Sequence, residues 1–259
     1  MINQPFISVV TVSYNAVATI EETILSVLNQ TYRNVEYIII DGGSTDGTVD
    51  VIKKYADRLA YWVSEPDKGI YDAMNKGIAI ATGDYINFMN AGDRFYNRNV
   101  LSEFIPKINS DSVVIYGDVL LAFKKSACVS IPLSASQLAE RMVFCHQSAF
   151  TKTAFHKQHP FITTFRSAGD YKFFYDAFFV YHTKFQYVHT IVSVFDNTIG
   201  MSKDNYFVSY KEQLIIRNEQ DSLYKRCRIV YNHFKLYINN LLPARIRKLI
   251  RKNTIYINK

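Results

Sequence analysis

The sequence has little cysteine. Cys128, Cys145 and Cys227 are odd in number and widely spaced, and no C-x-x-C pair occurs. That usage argues against a disulfide framework or a cysteine zinc site and fits free thiols in a reducing compartment. No apolar run approaches the roughly 18 residues that a membrane span needs. The start, Met1-Ile2-Asn3-Gln4-Pro5, has no basic leader, so a signal peptide is not expected and a cytoplasmic protein is the default. G-x-G-x-x-G is absent after the first expected strand. The Gly-rich loop after the second holds no Gly-Lys-Ser/Thr. A nicotinamide-dependent redox enzyme and a P-loop are therefore disfavoured. There is no internal repeat and no low-complexity linker. One tryptophan stands against nineteen tyrosines, which suggests many half-buried aromatics with polar tips.

Acid is also missing from one end. From Ser222 to Lys259 there are ten Lys/Arg and no Asp or Glu, which leaves −3 on the remainder of a chain whose net charge is +7. Leu242, Ile246, Leu249 and Ile250 fall at helical spacing there, with Pro243 as a starter and basic residues between them. A basic amphipathic helix of this kind predicts contact with an anionic membrane surface. Binding of nucleic acid by this tail is the weaker reading, because stacking or base-reading elements are not evident elsewhere.

What is present is a 259-residue chain, 48% hydrophobic, long enough for one large α/β domain with an appendage. Strands are expected at Phe6–Val12, Val35–Ile40, Leu59–Val63 and Tyr85–Met89. Helices are expected between them at Thr19–Asn29, Thr48–Tyr55 and Ile70–Ala81. Strict alternation with short loops predicts a doubly wound, mostly parallel sheet. Later elements are less regular: a helix at Val100–Ile108, a strand at Ser112–Tyr116, a hairpin in Leu120–Pro132, a helix at Tyr171–Tyr181, a strand at Phe185–Phe195 and a helix at Asn205–Asn218. The expected division is a domain over 1–202 and a helical basic segment over 203–259.

Polar clusters fall at the carboxyl ends of the strands, where open α/β sheets bind ligands. They are Thr11, Ser13 and Asn15; Asp41-Gly42-Gly43-Ser44-Thr45-Asp46-Gly47; and Asn90-Ala91-Gly92-Asp93. Asp41 at a strand tip suits a hydrogen bond from a nucleobase or ribose. Asp93 suits a divalent cation, which takes hard oxygen ligands. Asp118 lies at another expected strand end.

Four stretches then carry a resemblance. Val9–Asn15, Ser26–Tyr32, Ile39–Thr48 and Gly77–Asp84, in that order, resemble the family 2 glycosyltransferases over roughly residues 5–200. Glu65–Gly77 further resembles a bacterial branch that builds capsule, exopolysaccharide or O-antigen chains. The resemblance implies a GT-A fold and an inverting, metal-assisted transfer from a nucleotide sugar. It implies that Thr11, Ser13 and Asn15 line the nucleotide, and that Asp41 meets the base. Asp72, Asn75 and Lys76 would lie by the diphosphate or donor sugar. Asn90–Asp93 would stand at the family's D-x-D-type metal motif, with Mn²⁺ or Mg²⁺ as cofactor. Asp170 would be the catalytic base, and His146-Gln147 would be a lesser contact. The sequence departs from the motif at Asn90, which is uncharged, so Asp93 carries the expected metal role. A lipid-linked or oligosaccharide acceptor at the inner face of the cytoplasmic membrane follows as an expectation. The rival readings are a sugar-nucleotide nucleotidyltransferase, which lacks its Gly-rich basic loop in Thr11–Ala18, and a non-catalytic nucleotide- or glycan-binding module.

Overall fold

The computed structural model describes residues 4–123, 126–196 and 206–218. Two compact units divide the chain, Met1–Gln213 and Leu214–Lys259. The basic tail from Ser222 onward, with Cys227 and the Leu242–Ile250 stripe, lies outside the described residues. No described helix is long and apolar enough to cross a membrane.

The first seven elements follow the expected alternation. They are β1 (Ile7–Ser13), α1 (Ile20–Leu28), β2 (Val35–Asp41), α2 (Thr48–Lys53), β3 (Tyr61–Ser64), α3 (Ile70–Ile80) and β4 (Tyr85–Phe88). Then come β5 (Arg94–Phe95), α4 (Val100–Phe104), β6 (Val114–Phe123), β7 (Ser126–Ser130), β8 (Ala149–Lys152), α5 (Thr153–Gln158), α6 (Gly169–Phe179), β9 (Phe185–Asp196) and α7 (Tyr206–Ile216). The described strands form one nine-stranded sheet in the order β3-β2-β1-β4-β8-β6-β9-β5, with β7 on the free stretch of β6. β1, β2, β3, β4, β6 and β9 share one direction, and β5, β7 and β8 oppose them. The sheet is thus mixed and mostly parallel.

β1 is buried along its whole length, as a central strand covered on both faces must be. Val9 and Ile39 join the cluster that buries Ile20, Ile24 and Val27 of α1 and Val51 and Ile52 of α2. On the other face α3 packs against β1 and β2. The approach is close: a Cβ on Gly77 would stand 2.5 Å from Val10 Cγ1. Chain order turns back at β1, since β2 and β3 lie on one side of it and β4 on the other. That switch point opens a crevice beyond the strand ends, between the loop after β1 and the loop after β4.

Three expectations are corrected. The third strand starts two residues later than expected, because Ala56–Arg58 form a 3₁₀ turn. The strand expected to stop before Gly117-Asp118 continues to Phe123. Gly117 marks a bulge instead of an end: its register against β9 shifts, and a Cβ there would meet Thr190 O and Val192 Cγ2, each at 2.6 Å. Asp118 therefore sits inside a strand. The helix expected at Tyr171–Tyr181 starts at Gly169, so Asp170 lies in its first turn and not ahead of it. The short elements β5 and α5 had no periodic signal long enough to read.

His156 in α5 is buried among aromatic rings. It stacks on Phe173 at 4.0 Å and meets Phe88 and Phe161 edge-on. Burial drives its pKa down to about 3. The unfolded chain binds this proton near pH 6.5, and the folded one does not until about pH 3. Stability should therefore be lost as pH falls through that window, by up to about 1.4 kcal/mol per unit for one proton. Urea unfolding between pH 7.5 and 4.5 measures the slope. His156→Phe is expected to flatten it, and an unchanged slope would assign it to other groups.

Candidate active site

Two hydrogen-bonded clusters line the strand ends. The first is built on Asp41 at the tip of β2. Its side chain is buried and accepts five hydrogen bonds. Ser13 Oγ (2.8 Å) and Ser44 Oγ (2.6 Å) reach Oδ1. Gly43 N (3.2 Å), Ser44 N (2.8 Å) and Ser64 Oγ (2.7 Å) reach Oδ2. Burial alone would raise its pKa, but the bonds from Ser44, Ser64 and Ser13 outweigh this and hold it below the ordinary carboxylate value. Asp41 thus draws the loops after β1, β2 and β3 together. Asn15 adds to this: it adopts φ +47°, its Oδ1 accepts from Thr45 N at 3.0 Å, and its own N–H donates to Ser44 Oγ at 2.7 Å. Asp46 accepts from Val17 N and from Thr48 N, each at 3.0 Å, tying the start of α2 to the loop after β1. Tyr14 is 67% exposed, beside Gly42. The Asp67 carboxylate fills the space that a Gly42 side chain would need.

Thr11 is elsewhere. It is fully buried, and its hydroxyl joins Tyr37 OH at 2.8 Å and Met89 O at 2.7 Å. Its side chain braces β1 against β2 and the end of β4 and does not reach the crevice.

Three polar residues of α3 hold neighbouring loops. Asp72 accepts from Lys68 N at 3.0 Å. Asn75 exchanges two bonds with the backbone of Phe161, both 2.9 Å. Lys76 pairs with Glu65 at 2.7 Å and donates to Pro66 O at 3.2 Å. The Glu65 hydrogen bond, more than burial opposes it, raises the Lys76 pKa and keeps the side chain cationic.

The second cluster contains the remaining candidates. The turn after β4 is closed by Asp93 N on Asn90 O at 2.9 Å, and Gly92 takes φ +101° within it. Asp93 is 7% exposed, and Gln147 Nε2 donates to its Oδ2 at 2.7 Å. The preceding residue, His146, faces the other carboxylate: its Nδ1 lies 3.1 Å from Asp170 Oδ2. His146 Nε2 lies 3.1 Å from Asn90 Nδ2. Asn90 Oδ1 is buried without a partner among the described residues. Asp170 Oδ1 accepts from Tyr71 OH at 3.1 Å and from Tyr171 N at 2.9 Å. Burial would raise the Asp170 pKa, but the His146 bond, with Tyr171 N–H and Tyr71 OH, outweighs it and holds the carboxyl below its ordinary value. Asp170 does not cap α6. Ala168 holds the N-cap position, and Glu212 ties the segment ahead of the helix by accepting from Arg166 N, Ser167 N and Ala168 N at 2.7, 2.9 and 2.8 Å.

A cavity of about 180 Å³ opens beside Asp170, with Tyr71, Phe144, His146, Arg166 and Phe195 among its walls. Cys145 also lines it. Burial, then the charges of Asp93 and Asp170, push its thiol up to about 12, so it is not a nucleophile at neutral pH.

Asp118 is not in either cluster. It is 1% exposed and paired with Tyr187 OH (2.7 Å) and His189 Nδ1 (2.9 Å) on β9. Tyr71 holds Asp170 but had no assigned role in the sequence, although it lies inside a quoted motif; Gln147, expected only within the lesser His146-Gln147 contact, holds Asp93.

A divalent ion at this site would draw on hard oxygen donors. No group of three His, Cys, Asp or Glu that could hold one exists among the described residues. Asp93 fits a site of the single-carboxylate kind, completed by phosphate oxygens and water.

The model of the glycosyl transferase family 2 matches residues 8–177. A "PGL/p-HBAD biosynthesis glycosyltransferase" of Mycobacterium bovis is 28% identical over 207 residues, 76% of this chain and 79% of that protein. An uncharacterized glycosyltransferase of Mycobacterium tuberculosis is 37% identical over 156 residues, 58% of this chain. The match spans 60% of that relative's length. Among solved structures, S. aureus TarS in complex with UDP-GlcNAc superposes with a TM-score of 0.65 at 18% identity, covering 81% of this chain and 66% of that one. A mannosyltransferase from Pyrobaculum calidifontis in complex with GDP-Man and Mn²⁺ gives 0.59 at 19% identity, covering 75% and 57%. These likenesses show a GT-A-like α/β fold, and the matched span is most of the sheet described above. The chain belongs to glycosyl transferase family 2.

Proposed function

We propose that this chain is an inverting glycosyltransferase that moves a sugar from a nucleoside-diphosphate sugar to a hydroxyl of a glycan acceptor. The observation that carries the reading is Asp170. It is an ionised carboxylate at the wall of a cavity, held by His146 and Tyr71, with Asp93 braced from the adjacent residue Gln147.

The chemistry follows from what each group offers. The acceptor hydroxyl must lose a proton as it attacks the anomeric carbon, and Asp170 takes that proton as general base. Attack from the face opposite the leaving diphosphate inverts the centre in one displacement. The loops organised by Asp41 offer the exposed ring of Tyr14 for stacking and the Ser13–Asn15 backbone for a nucleoside. A base that contacts Asp41 itself must displace one of its serine donors, so the proposed role of Asp41 is to shape the pocket. Asp93 would hold a Mn²⁺ or Mg²⁺ ion that neutralises charge on the departing diphosphate. Lys76 supports the 65–66 loop beside it.

The acceptor is proposed to be a lipid-linked glycan of a bacterial surface polysaccharide. The support is the bacterial relatives and the basic, apolar-striped sequence at 242–252. Thermal-shift measurements with UDP-, GDP- and dTDP-sugars, each with and without Mn²⁺, test the donor class. One donor is expected to raise the melting temperature in a Mn²⁺-dependent way. No shift with any donor would remove the nucleotide-sugar reading and leave a glycan-binding module.

A further inference from the structure

We propose that Asn90 acts through His146: its amide N–H fixes the imidazole in the Nδ1–H tautomer, and that tautomer holds the Asp170 carboxylate. The three side chains form a chain with two 3.1 Å links, Asn90 Nδ2 to His146 Nε2 and His146 Nδ1 to Asp170 Oδ2. An ionised carboxylate only accepts hydrogen bonds, so Nδ1 carries the proton. A neutral ring then has its lone pair on Nε2, and that atom needs a donor. The Asn90 amide nitrogen is that donor. With the amide turned around, its oxygen would face Nε2, Nε2 would need the proton, and a lone pair on Nδ1 would face the carboxylate. Only one amide orientation satisfies both links around a neutral ring.

The departure of position 90 from an acidic residue acquires a chemical reason here. An aspartate at 90 offers no proton to Nε2. Two carboxylates, one at each ring nitrogen, would require an imidazolium. Asparagine can donate to Nε2 and leave the Nδ1–H aimed at Asp170. The ring is also well fixed: the side chains of His146 and Asp170 are only 18% and 19% exposed, and Gln147 is anchored on Asp93 at 2.7 Å. Asn90 and His146 are thus positioning residues. Tyr71 OH and Tyr171 N–H supply the other restraints on Asp170, at its Oδ1. The assignment of Asp170 as base rests on the proposed function, whereas the tautomer does not.

The test is the ring itself. The full chain labelled with ¹⁵N-histidine is examined at pH 7.5 by long-range ¹H–¹⁵N correlation. Six histidines contribute, and the His146 ring is assigned by its loss in His146→Asn. The wild type should show a protonated Nδ1 and a lone-pair Nε2. In Asn90→Asp both nitrogens should read as protonated. A neutral Nε2–H ring or a doubly protonated ring in the wild type, or an unchanged ring in Asn90→Asp, overturns the proposal. Should a variant fail to fold, the wild-type spectrum, assigned through its bonds, decides alone.

Kinetics separate positioning from packing. An asparagine amide at 146 takes the place of Nδ1, whereas a glutamine amide takes that of Nε2. His146→Asn should stay within about tenfold of wild-type kcat, and His146→Gln should fall by about 10²-fold with donor KM unchanged. Equal losses in the two variants would overturn the positioning role.

Discussion

Asp170→Asn is expected to lower transfer by about 10²–10⁴-fold, the usual contribution of a positioned general base. Donor affinity should be retained. The substitution is nearly isosteric, and its amide oxygen can still accept from Tyr71 OH or Tyr171 N–H, which lie 3.1 and 2.9 Å from Oδ1. What it removes is the charge and the capacity to take a proton. The hydrogen bonds also fix the sign of the pH dependence. Burial raises the Asp170 pKa, but His146, Tyr171 N–H and Tyr71 lower it further than burial raises it. The base is therefore ionised throughout the neutral range, and the acid limb of kcat/KM should lie below the ordinary carboxylate value. The same depression stabilises the fold above the unfolded pKa, and that contribution is lost as pH falls through the folded one. The checks are steady-state transfer and donor titration on the same preparation. If donor binding collapsed along with turnover, Asp170 would be a donor ligand or a structural carboxylate.

Asp93→Asn is expected to cost transfer at least about 10²-fold and to remove the metal dependence of nucleotide binding. Asparagine is the informative substitution, because its amide oxygen can keep the Gln147 Nε2 bond made at 2.7 Å while the charge disappears. Asp93→Ala would add a second effect. It strands the Gln147 amide in a buried position, at about 1–3 kcal/mol. The Thr23 hydroxyl bond to the Asp93 backbone carbonyl, at 2.7 Å, survives both changes and should hold the turn in place. Calorimetric titration of UDP and GDP with and without Mn²⁺ reads the difference. Turnover at the wild-type rate in Asp93→Asn would remove the proposed metal role, and equal nucleotide affinity with and without Mn²⁺ in the wild type would do so too.

How much of this was legible in the chain differs from residue to residue. The run Val9–Val12, the helical spacing of Ile20, Ile24 and Val27, and the apolar Tyr37–Ile40 stretch announced β1, α1 and β2. Burial on both faces of a parallel sheet leaves an almost continuous apolar run, and packing on one face leaves a 3.6-residue period. Asp93 and Asp170 were singled out for a different reason: the resemblance to a known family implies its metal motif at the first and its catalytic base at the second. Asp118 was misplaced because a glycine inside a strand reads like a strand end, whereas here it admits the close crossing of β9. Thr11 looked like a nucleotide contact from its position near a strand tip. Strand alternation turned its hydroxyl inward to Tyr37 and Met89 O.

Local periodicity and short motifs are properties of neighbouring residues, so the α/β alternation, the family and the carboxylates at the strand ends could be read along the chain. What those carboxylates touch emerges with the folded arrangement of the strands. Asn90 and His146 are 56 residues apart, His146 and Asp170 are 24 apart, and Tyr71 and Asp170 are 99 apart. No local pattern encodes a hydrogen bond across such separations. It appears once the switch point at β1 and the antiparallel return of β8 bring the ends of these segments into one crevice.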